Sequence, residues 1–158
     1  PWGACPCWWG VRRMHLHIGL IVNPLAGLGG SLALKGSDGE RVRDIALQLD
    51  NSQLHRARDR AARALSMLTD CEDVQLSNWA GPMGEDLCRE LGLDSTVLGA
   101  AAAELSGPQH TREAAAALRD AGVDILVFAG GDGTARDICD VIGQTIPVLG
   151  IPAGVMMH

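Results

Sequence analysis

The run Asp124-Ile-Leu-Val-Phe-Ala-Gly-Gly-Asp-Gly-Thr-Ala-Arg-Asp-Ile-Cys-Asp140 decides how this chain is read. From Asp124 to Ala129 it is almost wholly apolar, the pattern of a strand buried on both faces. Gly130, Gly131 and Gly133 then bracket a single carboxylate, Asp132. Ala135, Ile138 and Ile142 follow at i, i+3 and i+7 and predict a helix with one apolar stripe. Thr134 or Asp132 is expected to cap its first turn, with Gly143 closing it in the left-handed region. Strand, glycine turn and helix N-terminus in that order suit a phosphate. Glycine tolerates φ > 0 and a close ligand, and the helix end offers free N–H groups with partial positive charge. A carboxylate in the same turn repels phosphate. Asp132 therefore reads as a group that polarises a hydroxyl or holds a metal ion, unless it is only the N-cap of a tight turn.

The flanking sequence repeats this alternation. Residues 17–22 form a second short apolar run, ended by Asn23-Pro24 and a loop containing Gly27, Gly29 and Gly30. That loop reads either as an ordinary turn or as a holder of phosphate or ribose. Lys35-Gly-Ser-Asp-Gly39 is open to the same two readings, and a short helix is expected over 41–49. Ala57, Ala61, Leu65 and Leu68 predict a helix over 56–68, with Asp59 able to pair with Arg63 and the arginines forming a solvated face. Strands are expected at 74–76, 96–98 and 146–150, loops at 81–84 and 100–108, and a helix over 85–91 ended by Gly92. A further helix is capped by Thr111 and closed by Gly122. Strands this apolar, alternating with helices, give a three-layer Rossmann-like α/β parallel sheet.

Gly130-Gly-Asp-Gly-Thr134 after a buried strand resembles the signature of the NAD kinase family, shared more distantly with diacylglycerol, sphingosine and 6-phosphofructo kinases. Ile18-Gly-Leu-Ile-Val-Asn-Pro-Leu-Ala-Gly-Leu-Gly-Gly30 is similar to the first strand and loop of that family, and Ile146-Pro-Val-Leu-Gly-Ile-Pro-Ala-Gly154 to the segment after the motif. The nearest resemblance is to the ATP-NAD kinase branch that includes the acetoin-catabolism protein X group, which carries a piece like Lys35–Gly39. It covers residues 14–158.

The resemblance implies an NAD kinase/diacylglycerol kinase-like N-terminal domain. It also implies transfer of a phosphoryl group from ATP, or polyphosphate, with Mg²⁺, to the 2′-hydroxyl of the adenosine ribose of NAD. Asp132 would be the catalytic carboxylate. Asn23, Gly27, Gly29, Gly30, Gly130, Gly131, Gly133 and Thr134 would line the nucleotide cleft. The family pattern continues into a β-rich second domain, whereas this sequence stops at His158 and has Met156 where a basic residue is expected. The expectation is an N-terminal portion whose own activity is open. A nucleotide-binding regulatory module without catalysis and a lipid or sugar kinase of the same fold are the competing readings.

Composition bounds the rest. The chain has 158 residues and a net charge of −6, with Lys35 its only lysine. That is one domain's length, without the basic surface that nucleic acid or anionic membrane requires. No stretch approaches the roughly 18 apolar residues of a membrane span. The 5 cysteines are scattered and odd in number, which fits reduced thiols and a cytoplasmic location. Cys5-Pro-Cys7 has no second pair at zinc spacing, and no histidine pair has ligand spacing. The five histidines read as non-catalytic, His158 being the one that follows the Gly154 segment. Residues 1–13 break with the composition of the rest and read as a non-native or upstream extension that packs poorly on the domain 14–158. The resemblance implies small nucleotides as partners, and a homo-oligomer is left open.

Overall fold

A computed structural model describes residues 15–26, 55–101 and 107–153. The extension 1–13, the loop glycines Gly27, Gly29 and Gly30, the Lys35–Gly39 piece, the helix expected over 41–49, Met156 and His158 lie outside the described residues.

Among the described residues five strands form one sheet in which every pairing is parallel. They are β1 (Leu16–Val22), β2 (Val74–Asn78), β3 (Ser95–Val97), β4 (Ile125–Gly130) and β5 (Val148–Pro152), in the spatial order β3-β2-β1-β4-β5. Among the described residues four α-helices connect them: α1 (Arg56–Leu65), α2 (Glu85–Leu91), α3 (Pro108–Asp120) and α4 (Asp132–Ile142). The expected three-layer α/β class is what is found.

Alternation along the two central strands builds both sides of the core. Ile18, Leu20 and Val22 of β1, with Val127 and Ala129 of β4, face Ala57, Ala61 and Leu65 of α1 and Leu87 and Cys88 of α2. Ile21, Leu126 and Phe128 point the other way, against Ala114, Ala115 and Leu118 of α3 and Ile138 and Ile142 of α4. Burying a Leu, Ile or Phe side chain is worth about 1.5–3 kcal/mol, so strands this apolar are stable only with helices on both faces. Right-handed crossovers place the helices accordingly: the chain winds outward from β1 with α1 and α2 on one face, then returns to β4 with α3 and α4 on the other.

Several local expectations are corrected. The helix expected over 56–68 ends at Leu65 and tightens into a 3₁₀ turn over Ser66–Leu68. Asp59 and Arg63 do not pair. Instead Arg58 forms an ion pair with Glu90 on α2, and Arg60 Nη1 donates to Pro152 O at 2.6 Å, so this face is not simply solvated. Residues 81–83 make a 3₁₀ turn rather than a plain loop.

The strand expected at 74–76 continues to Asn78, because polar cross-strand partners let Ser77 and Asn78 be buried. His17 Nε2 lies 2.7 Å from Ser77 Oγ, and Asn78 Nδ2 donates to Ser95 Oγ at 2.8 Å. β3 and β5 are displaced by one and two residues from 96–98 and 146–150. Thr111 caps nothing: α3 starts earlier, with Pro108 at its first position and the Gly107 N–H donating to His110 Nδ1 at 3.0 Å.

Candidate functional site

The sheet order reverses between β1 and β4, and in an open parallel sheet that switch point opens a crevice beyond the carboxyl ends of the strands. Val22 lies opposite Ala129 in the register, so Asn23 and the Gly130–Thr134 turn leave the sheet side by side at the same edge.

Asn23 binds the two together. Its backbone N–H donates to Ala129 O at 2.9 Å, and its carbonyl accepts from Ala26 N at 3.0 Å. Its side-chain Oδ1 accepts from Leu25 N at 3.0 Å, shaping the turn at Pro24. Its Nδ2 donates to Thr134 Oγ1 at 2.8 Å, a contact across 111 residues of sequence.

The cap of α4 departs from both expected candidates. Gly131, extended at φ −107° and ψ −170°, is the N-cap, with no side-chain cap bond. Asp132 is the first helical residue, and Thr134 is two positions on. Ala135 N donates to Gly131 O at 3.0 Å as the first bond of the helix. The N–H groups of Asp132, Gly133 and Thr134 come before it and have no carbonyl one turn back within the helix. Thr134 is not free to cap, because its side chain is buried against Gly130 and Asn23. Gly143 closes the helix at φ +59° and ψ −119°, positive as expected but outside the left-handed helical well.

The three motif glycines do different work, and none of them has positive φ. At Gly130 a Cβ would lie 2.6 Å from Thr134 Oγ1 and 2.7 Å from Thr134 Cβ, so only glycine lets the first turn of α4 sit this close to β4. At Gly131 and Gly133 a Cβ would meet nothing within 4 Å among the described residues. The backbone there is bare on an open side, as the approach of a ligand would require. Asp132 is exposed on the same turn.

The arrangement therefore puts one exposed carboxylate, a set of backbone N–H groups with no partner within the helix and a buried threonine hydroxyl within one turn of helix, with Asn23 at its side. Gly27, Gly29 and Gly30 lie outside the described residues. No three His, Cys, Asp or Glu residues among the described ones stand together as a metal cage. Sequence reading named Asn23 and Thr134 separately and missed the bond between them.

No helix among the described residues is long and apolar enough to cross a membrane, and Cys71, Cys88 and Cys139 are free thiols. Neither the curated proteins nor the solved structures yield a match. Among protein families, the model of the ATP-NAD kinase N-terminal domain matches residues 18–158, so the chain belongs to the ATP-NAD kinase family.

Proposed function

We propose that the protein transfers the γ-phosphoryl group of ATP, or the terminal phosphoryl group of polyphosphate, to the 2′-hydroxyl of the adenosine ribose of NAD, giving NADP. The observation that carries this reading is Asp132 at the open N-terminus of α4, beside the bare backbone of Gly131 and Gly133. Phosphoryl transfer depends mostly on positioning and on stabilising charge. The free N–H groups of the first turn and the Thr134 hydroxyl would hold phosphate oxygens.

Mg²⁺, carried in with the triphosphate, supplies charge neutralisation, and no set of protein ligands is assigned to it. Asp132 orients the acceptor hydroxyl and takes its proton. The ribose oxygen bonds to the γ-phosphorus, the bond to the β–γ bridging oxygen breaks, and ADP leaves. Gly27, Gly29 and Gly30 are proposed on resemblance alone to complete the cleft. The odd, scattered cysteines lead us to place the protein in the cytoplasm.

Asp132→Asn tests the assignment. The exposed position tolerates the amide, so melting temperature should change little. General-base contributions are typically about 10²–10⁴-fold, so NADP formation should fall by that order while the Kd for Mg-ATP changes much less. NADP formation at the wild-type rate would refute the catalytic role of Asp132. Binding of Mg-ATP by the wild-type protein, with no transfer to NAD, diacylglycerol or a sugar, would instead identify a regulatory nucleotide-binding module. Transfer to one of the latter two would identify a lipid or sugar kinase.

A further inference from the structure

The hydrogen bonds of Asn23 assign its amide orientation without ambiguity. Leu25 N–H can only donate, so the atom facing it is Oδ1, and the NH₂ group must face Thr134 Oγ1. An amide NH₂ cannot accept. Thr134 Oγ1 is therefore the acceptor in this pair, and its own O–H hydrogen has to point elsewhere. No acceptor for that hydrogen is found among the described residues, although Thr134 is only 5% exposed. The side chain is also wedged from the other side, with Oγ1, Cβ and Cγ2 all closer than 3 Å to where a Cβ on Gly130 would stand. The hydroxyl is thus held in place, with its proton unpaired among the described residues.

We propose that Asn23 is a positioning residue that acts through Thr134. By occupying the acceptor side of the Thr134 hydroxyl, it keeps the O–H free to donate to a phosphate oxygen at the mouth of α4. This refines the sequence expectation that Asn23 itself lines the ligand. It rests on the phosphate-site reading above. The alternative is that the second N–H of the Asn23 amide, which has no partner among the described residues, touches the ligand directly.

A double-mutant cycle on the full chain separates the two, with the Kd for Mg-ATP measured by calorimetry. A hydrogen bond to a charged group is worth about 1.5–3 kcal/mol, so Thr134→Val should raise Kd roughly 10- to 100-fold. Asn23→Ala should raise it comparably in the wild-type background and in Thr134→Ser, which keeps the hydroxyl. In Thr134→Val its effect should shrink to less than about twofold, because the group it acts through is gone. Asn23→Ser, whose neutral hydroxyl can accept from Leu25 N–H, replaces alanine in the cycle if alanine unfolds the turn.

An undiminished effect of Asn23 substitution in the Thr134→Val background would overturn the proposal and leave the phosphate site standing, with Asn23 as a direct ligand. A Thr134→Val chain that binds Mg-ATP normally would overturn the proposal alone, whereas a wild-type chain that binds none would refute the phosphate-site reading and the proposal with it.

Discussion

Replacing Gly130 by alanine is the sharpest structural test of the turn. The added Cβ would stand 2.6 Å from Thr134 Oγ1, 2.7 Å from its Cβ and 2.9 Å from its Cγ2, whereas carbon atoms in contact sit about 3.5–4.0 Å apart. Rotating Thr134 about χ1 moves Oγ1 and Cγ2 but not Cβ, so relief requires the first turn of α4 to move off β4. That motion pulls Thr134 Oγ1 away from Asn23 Nδ2.

Overpacking of this kind costs about 1–3 kcal/mol and the lost hydrogen bond about 0.5–1.5 kcal/mol, partly offset by about 0.4–1 kcal/mol from a stiffer unfolded chain. The net loss is roughly 0.5–4 kcal/mol, or a fall in Tm of roughly 1–16 °C for a chain of this length. No backbone strain enters, because Gly130 is not at positive φ. Gly133→Ala is the matched control: it adds the same methyl on the second residue of α4, where nothing lies within 4 Å among the described residues. There the substitution should be neutral or stabilising by up to about 1 kcal/mol. Thermal or urea unfolding of the two variants side by side is the assay. A Gly130→Ala chain as stable as Gly133→Ala would refute the claim that Thr134 contact is what demands glycine at Gly130.

Two further outcomes follow from the same distances. Gly99→Ala would push a Cβ to 2.5 Å from the ring of Trp79, which is buried and cannot swing aside, and unfolding should show a loss of about 1–3 kcal/mol with no effect traceable to nucleotide. Gly131→Ala should cost at most about 1 kcal/mol of stability, the range set by cap preferences. It should raise the Kd for Mg-ATP tenfold or more, equivalent to about 1.4 kcal/mol, if phosphate approaches that backbone; calorimetry reporting an unchanged Kd would remove Gly131 from the site.

The fold was legible where burial and periodicity agree. β1 and β4 are apolar on both faces and sit at the centre of the sheet, so composition alone marked them. The errors collect where a different force sets the boundary. Ser77 and Asn78 look like the end of a strand, yet each is almost fully buried because a neighbouring strand supplies a hydrogen-bonding partner. β5 reaches Pro152, which a run of apolar residues does not announce, because an edge strand tolerates proline. α3 begins at Pro108, where a proline costs nothing since the first helical N–H is unsatisfied anyway; hydroxyl capping was the wrong signal to weigh.

The candidate site was legible as residue types and illegible as a mechanism of assembly. Asn-Pro and Gly-Gly-Asp-Gly-Thr each point to a loop that could meet phosphate. Which atoms hold the two loops together depends on a hydrogen bond across 111 residues, and no local pattern encodes it. Glycine is the clearer case. Read as letters, Gly130, Gly131 and Gly133 look equivalent, and conformational freedom is the obvious reason for all three. In the fold that reason applies to none of them, since all avoid positive φ. Gly130 is explained completely by the chain's own packing against Thr134. Gly131 and Gly133 are not: among the described residues nothing in the chain occupies the space a side chain would take, and at Gly133 alanine would make the better helix. At Gly133, where the protein would be as stable or more so with alanine, packing among the described residues gives no reason for glycine, and a ligand approaching the open helix start would supply one. N–H groups with no partner within the helix, at its positive end, fit an anion best.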